Sequence, residues 1–471
     1  MIALTLDRIA DITRSRVGGP ARLTDTVTGP VTIDSRQVAP GALFAALSGE
    51  RVDGHDFAAA AVAAGATAVL ASRPVAEPHL IVDGGDAGVV TALGRLARTV
   101  VDELTAADVV GVTGSSGKTT TKDLLAQVLG ALGPTIAPTG SYNNEIGHPL
   151  TVLRADTSTR HIVLEVAARG IGHIAHLCSI APPRIGVVLN VGSAHVGEFG
   201  SRAAIAQAKG ELVEALPTAE DGGVAVLNAD DDAVIGMAAR TRARVVSYGR
   251  SEQAQVRARN VELTPLGCAR FELWLRGRGT APVELRLVGE HQVHNALAVA
   301  AVAAEAGMGV ADIAAALSQA GSVSRWRMEV TERRDGVTVI NDAYNANPES
   351  MAAALQTLTA VAQQRRAFAV LGHMAELGAV HEAEHERLGQ AVAAAGIEGL
   401  IVVGEQAEPV AAGAESVSAW RGQALRVPDA AHAVAALRER LRPKDVVMVK
   451  GSRVAGLERV AEELISGEDA K

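Results

Sequence analysis

Thr113-Gly-Ser-Ser-Gly-Lys-Thr-Thr120 sits between a β-branched apolar run (Val109, Val110, Val112) and a helical stretch, Lys122 to Leu132. Strand, glycine loop and helix in that order confine the chain to an arrangement in which backbone N–H groups and a helix N-terminus surround an anion. On this reading Gly114 and Gly117 let the backbone come close, with Ser115, Ser116 and Thr120 completing the loop. Lys118 reaches the outer phosphates of a nucleotide, and the Thr119 hydroxyl holds Mg2+. The strict phosphate-loop pattern has a glycine six residues before the lysine, where this chain has Val112.

A chain of 471 residues is too long for one ordinary core, and roughly three domains are expected. With 48% apolar residues it is globular. No apolar stretch is long and charge-free enough to span a membrane. The opening Met1-Ile-Ala-Leu-Thr-Leu-Asp lacks the basic flank and apolar core of a signal segment. Two cysteines, Cys178 and Cys268, offer neither a disulfide framework nor a metal spacing, which suits the cytoplasm. A net charge of −9 argues against a nucleic-acid partner. A monomer is the default expectation.

The pattern of runs predicts an α/β protein of three domains. Residues 1–105 read as a small α/β domain, with strands at Val31–Arg36, Ala42–Leu47, Ala68–Ala71 and Leu80–Val82 and a helix at Phe57–Ala64. Ser35, Arg36 and the turn around His55 could meet at one edge, where Arg36 could fork onto a phosphate; a solvated surface arginine explains it equally well. Residues 106–322 read as a phosphate-loop parallel-sheet domain. Apolar strands at Val109–Val112, Ile162–Glu165, Ile185–Asn190 and Gly223–Asn228 alternate with helices, among them Ser201–Leu216. Residues 245–288 look like an antiparallel insertion, followed by a helix over Gly289–Ala304. Residues 323–471 read as a second open, Rossmann-like α/β domain, with strands at Val337–Asp342, Ala367–Leu371, Leu400–Val403 and Asp445–Val449.

In parallel sheets functional groups gather at strand C-terminal ends. Glu165 ends one such strand, His195 follows another, and Lys209 lies on a predicted helix. Taken singly, each is an ordinary polar position; only their meeting beside Thr119 would make a metal site, since Mg2+ takes oxygen ligands. Asn341-Asp-Ala-Tyr-Asn-Ala-Asn-Pro348 puts Asp342 and Tyr344 directly after a strand, where a turn accounts for the Asn and Pro residues but not for the acid.

Together these stretches resemble the Mur ligase family, the ATP-dependent amide-forming enzymes of peptidoglycan assembly. The most specific carriers are Ser141-Tyr-Asn-Asn-Glu-Ile-Gly-His-Pro-Leu-Thr151, Asn341 to Met351, Leu371-Gly-His-Met-Ala-Glu-Leu-Gly378 and Val449-Lys-Gly-Ser-Arg453. Asp34-Ser-Arg36 and Gly49 to His55 resemble the family's N-terminal domain, and the likeness runs in order along essentially the whole chain. The resemblance implies ATP and Mg2+ as cofactors and UDP-N-acetylmuramoyl-tripeptide and D-Ala-D-Ala as substrates, joined through an acyl phosphate. It implies metal-ligand roles for Glu165, His195 and Lys209, the lysine carrying a CO2-derived carbamate that turns a repelling ammonium into a carboxylate-like ligand. That chemistry needs a neutral amine. Lys118, His195 and Lys209 would be catalytic. His291 and Asn295 would contact adenine, Arg327 phosphate and Asp342 ribose. Asn143, Asn144, Tyr344 and Asn345 would face substrate, with Ser35 and Arg36 on its uridine-nucleotide side. One departure is Glu165-Val-Ala-Ala-Arg169, where the family has a glycine soon after the glutamate. A sister ligase with another amine, or glutamates added to folate, is the alternative within this chemistry; a nucleotide-binding regulator is the alternative outside it.

Overall fold

The computed structural model describes residues 1–49, 52–140, 142–192 and 196–466. Three larger sheets follow one another along the chain.

The first has five strands in the order Arg16–Gly18, His79–Ile81, Ala68–Ala71, Leu43–Ala45, Val31–Thr32, all parallel except the first pair. The strand expected over Val31–Arg36 stops at Thr32. Asp34 is the reason: its carboxylate accepts the Arg36 N–H at 3.0 Å and starts a short 3-10 turn, Ser35–Gln37.

The second sheet has nine strands. From Thr135–Ile136 through His161–Glu165, Asp108–Thr113, Ile185–Val188 and Val224–Asn228 to Arg244–Gly249 the pairing is parallel. The strands Val256–Leu263, Cys268–Leu275 and Gly279–Val288 are antiparallel to one another and extend this same sheet. The third sheet has six strands, in the order Glu329–Glu332, Thr338–Asp342, Val446–Lys450, Ala367–Leu371, Gly399–Val403, Gln423–Val427. Only its first pair is antiparallel.

The phosphate-loop helix spans Lys118–Gly130, four residues earlier than the sequence suggested, because Gly117 at φ 81° turns the chain straight into it. It packs against the helix Gln292–Glu305, whose Val and Ala side chains are buried on nearly every side. Small side chains there let two helices and a sheet come close around the loop. Gly289 at φ 107° makes the turn that delays this helix by three residues.

The long helix Gly85–Glu103 buries Val89, Leu93, Leu96, Ala97 and Val100 in a core that continues into Leu164, Ile174, Leu177 and Leu212 beneath the second sheet. The N-terminal and central units thus share apolar interior. The third unit meets the central one across a polar cleft, at the rim by backbone, and through Val288 and Cys268, which pack into the third unit's own core. A Cβ on Gly197 would sit 2.7 Å from the Glu376 carbonyl oxygen and 2.8 Å from the Gly378 nitrogen.

Candidate active site

The C-terminal strand ends of the second and third sheets face each other across a cleft of about 750 Å³. Glu165, Asn190 and Asn228 come from one side, Asp342 and Lys450 from the other.

The phosphate loop is shaped by its neighbours. Asn190 takes the Ser116 N–H at 2.9 Å and donates to the Ser116 carbonyl at 3.2 Å. Ser115 Oγ accepts the Gly192 N–H at 2.9 Å. A Cβ at Gly117 would lie 2.5 Å from Asn295 Oδ1, so the close approach as well as the left-handed backbone requires glycine there. Lys118 is the first residue of the helix, and its ammonium donates to the Gly114 carbonyl at 2.7 Å. Burial lowers the pKa of that ammonium; Glu165 opposes the shift and Arg327 adds to it.

Glu165 is 2% exposed. Its Oε2 accepts from the Thr119 hydroxyl and its Oε1 from Asn143 Nδ2, each at 3.0 Å. Arg327 from the C-terminal side donates to the same Thr119 hydroxyl at 3.1 Å, with its guanidinium 4.0 Å above the Tyr344 ring. Lys209, on the helix Arg202–Glu214 capped by Ser201, is buried and is not among the cleft residues. Burial, reinforced by the Lys118 ammonium, pulls its pKa from 10.5 to about 7.

On the facing sheet Asp342 and Lys450 are register partners in adjacent parallel strands and form an ion pair at 2.5 Å. The same carboxylate accepts the Met328 N–H at 3.2 Å, and Lys450 also donates to the Asn345 carbonyl at 2.9 Å. Burial holds His291 at about 4, so its imidazole is neutral at neutral pH. His294 Nε2 lies 2.9 Å from Asp230, whose carboxylate also takes the backbone N–H groups of Arg250 and Ser251.

The cleft therefore gathers Ser115, Ser116, Gly117, Lys118, Thr119, Thr120, Asn143, Glu165, His291, Asn295, Arg327, Asp342, Tyr344 and Asn345 from the expected set. Gly114 contributes only its carbonyl, to Lys118. Asn144 is spent on its own chain, accepting the N–H groups of Ile146 and Gly147 at 3.3 and 2.8 Å. His195 lies outside the described residues. Ser35 and Arg36 are not among the cleft residues. The Arg36 fork, expected on a phosphate, is taken by Asp34 through bonds of 2.9 and 2.8 Å at an exposed position. Sequence reading missed Asn228, Asp230, Asp231, Asn347, Glu349, Lys450 and Arg453 as cleft residues. Lys450 had a readable signal, a lysine ending a buried β-branched run.

The Thr119 hydroxyl and the Glu165 carboxylate are hard oxygen donors of the kind Mg2+ takes, and they touch each other at the N-terminus of the phosphate-loop helix. Among the described residues no cluster of three or more His, Cys, Asp or Glu side chains could hold a metal alone. No described helix is long and apolar enough to cross a membrane.

Three family models match the chain: Mur ligase family, catalytic domain, over residues 29–127; Mur ligase middle domain over 112–303; and Mur ligase, glutamate ligase domain, over 326–453. The chain is 49% identical to the UDP-N-acetylmuramoyl-tripeptide–D-alanyl-D-alanine ligase of Mycobacterium tuberculosis, over 99% of this chain and 98% of that one. Among solved structures it is similar to MurF from Acinetobacter baumannii, with a TM-score of 0.86, 30% identity and coverage of 98% and 99%. It is also similar to MurF ligase from Thermotoga maritima in complex with ADP, with a TM-score of 0.79, 30% identity and coverage of 94% and 98%.

Proposed function

The chain belongs to the Mur ligase family, and on that premise we propose that its cleft joins D-alanyl-D-alanine to a UDP-N-acetylmuramoyl-tripeptide with conversion of ATP to ADP and phosphate. The terminal carboxylate of the tripeptide attacks the γ-phosphate, releasing ADP and forming an acyl phosphate. The D-alanyl-D-alanine amine then adds to the acyl carbon, phosphate leaves the tetrahedral intermediate, and the amine gives up its proton as the amide forms.

The chain's own groups position and neutralise, which is most of what phosphoryl transfer asks of a protein. Lys118 exchanges the Gly114 carbonyl for the outer phosphates. Thr119 and Glu165 hold Mg2+, whose chemistry is to draw charge from phosphoryl oxygens. Lys209, held at about 7, presents a neutral amine that adds CO2 with loss of a proton, giving a carbamate; the family resemblance assigns His195 beside it. Arg327, held over Tyr344, meets developing negative charge on the nucleotide. His291 and Asn295 take the adenine and Asp342 the ribose. Asn143, Tyr344 and Asn345 face the peptide substrate, with Asn144 holding the turn beside Asn143, and Ser35 and Arg36 face the uridine nucleotide, Arg36 leaving Asp34 to do so.

The reading also divides the chain at 1–105, 106–322 and 323–471, supported by the three larger sheets falling one to each part. It places the reaction in the cytoplasm, with the chain acting as a monomer.

The observation that carries it is the meeting of the phosphate loop and Glu165 with Arg327, from the linker into the third sheet, and Asp342, at the end of a strand in that sheet, in one cleft. The test is phosphate release from Mg-ATP with the UDP-muramoyl tripeptide and D-alanyl-D-alanine, each omitted in turn. Release that needs both, with a UDP-muramoyl pentapeptide formed, is expected. Release that ignores both, or none at all, would leave a nucleotide site with another substrate and favour a sister ligase or a nucleotide-binding regulator.

A further inference from the structure

The linker from the central to the third unit runs between the helix Val310–Gln319 and the strand Glu329–Glu332. It lies along one stripe of the phosphate-loop helix. Gln127 grips Gly321 at both backbone atoms: its Nε2 donates to the Gly321 carbonyl at 2.9 Å, and the Gly321 N–H donates to its Oε1 at 3.1 Å. One turn nearer the loop, Asp123 Oδ2 accepts the Ser324 N–H at 3.0 Å. One turn nearer still, the Thr119 hydroxyl accepts from Arg327 at 3.1 Å. Helix positions 119, 123 and 127 are four apart and share a face. They meet linker positions 327, 324 and 321, which are three apart.

The middle contact is itself held in place. Asp123 is buried and ion-paired to the buried Lys122, whose ammonium also donates to the Pro138 carbonyl at 2.8 Å. The far end is strained. Trp326 and Met328 flank Arg327 at φ 60° and 53°, left-handed values that bulky residues keep only where the surroundings enforce them. Here the Met328 N–H is bound by Asp342, and the Trp326 carbonyl accepts from the Tyr344 N–H at 3.3 Å.

We propose that Asp123 and Gln127 are positioning residues: the phosphate-loop helix acts as a ruler on which the linker is registered, so that Arg327 arrives at Thr119 when the third unit closes on nucleotide. The inference rests on the ligase reading for its kinetic consequence and on the contacts alone for its structural one. Gln127 lies at an exposed position, so its truncation tests register without opening a core.

The experiment compares the full-length parent with Gln127→Ala, Gln127→Glu and Ser324→Pro, the last removing the N–H that Asp123 accepts. In Gln127→Ala kcat should fall about tenfold, as expected for two lost hydrogen bonds that matter only in the closed state. ADP affinity should stay within about twofold. Gln127→Glu, which keeps the acceptor for the Gly321 N–H, should recover about half of that loss in free energy. Ser324→Pro should behave like Gln127→Ala. Amide hydrogen exchange should quicken through residues 321–328 in Gln127→Ala, beyond the residue that the side chain touches. A kcat within about twofold of an active parent, or quickened exchange confined to Gly321, would overturn the proposal. If the parent itself does not ligate, the ligase reading falls, and the reach of the exchange along the linker alone decides the register.

Discussion

The central unit meets the N-terminal unit through the buried face of the helix Gly85–Glu103 and a single continuous apolar core. It meets the C-terminal unit through a smaller apolar contact, Val288 and Cys268 packed into the C-terminal core, and through polar ones: Arg327 on Thr119, Ser324 on Asp123, Gln127 on Gly321, and glycine backbone at the rim. Apolar burial is lost all at once when a joint opens, whereas hydrogen bonds are exchanged for water at small net difference. The first junction has the larger apolar interior to lose and the second has more contacts that water can replace, a difference that suits a cleft wall able to open and close. The same contrast shows in the ionisable groups. In and around the cleft, Lys118, His291 and the buried Lys209 are shifted mainly by burial. In the N-terminal unit, Asp34 and Asp53 are held low mainly by hydrogen bonds at the surface.

Four changes would break or sharpen this comparison. Lys209→Ala removes the buried amine near the phosphate-loop lysine and should lower kcat by about a thousandfold or more while the fold persists. Near-normal turnover with an unchanged thermal midpoint would remove the carbamate from the mechanism. Leu96→Ala cuts into the fully buried N-terminal junction and should destabilise the chain by about 3 kcal/mol in denaturant titration. Activity per folded molecule should be kept; a matching fall in kcat would mean that this junction also moves in turnover.

His148 tests the same side by pH. It sits in the short helix Gly147–Val152, against which the Gly85–Glu103 helix packs, and burial holds it at about 4 rather than 6.5. The unfolded chain takes up a proton between those values and the folded chain resists it. Its stabilising contribution is present above pH 6.5 and is lost as pH falls through 4, by up to about 3 kcal/mol. His148→Leu should therefore flatten part of the acid limb of the stability curve; an unchanged limb would exonerate this residue. The smallest effect is expected at the rim. Gly197→Ala places a methyl against the Glu376 carbonyl and the Gly378 nitrogen and should slow turnover about tenfold with ADP affinity near the parent's. Unchanged turnover would show that the rim gives way without effect.

Much of this architecture was legible because the parallel strands are buried on both faces and read as unbroken β-branched runs ending in polar residues, as Ile162 to Glu165 does. The strands Glu329–Glu332 and Gln423–Val427 escaped notice because they lie at sheet edges with half-exposed, polar sequences. The cleft was legible where chemistry is local, as in the phosphate loop. It was not where partners lie far apart in sequence: nothing near Lys450 announces that Asp342 stands beside it in the adjacent strand. Arg36 is a different case: its residue type suggested a phosphate, and here a carboxylate two residues away takes its fork.

The Gly197–Gly378 contact has a consequence for timing. Backbone meets backbone there, and Gly378 at φ 55° leaves 3.0 Å between its would-be Cβ and Gly197 Cα. A side chain at such a place could swing between rotamers and give the cleft a side door, ajar while the main body stayed shut. Bare backbone has no such half-way posture. On the ligase reading, opening at this rim would call for backbone to move as a body, so that release of product would be timed with a swing of the C-terminal unit rather than with the turn of one side chain.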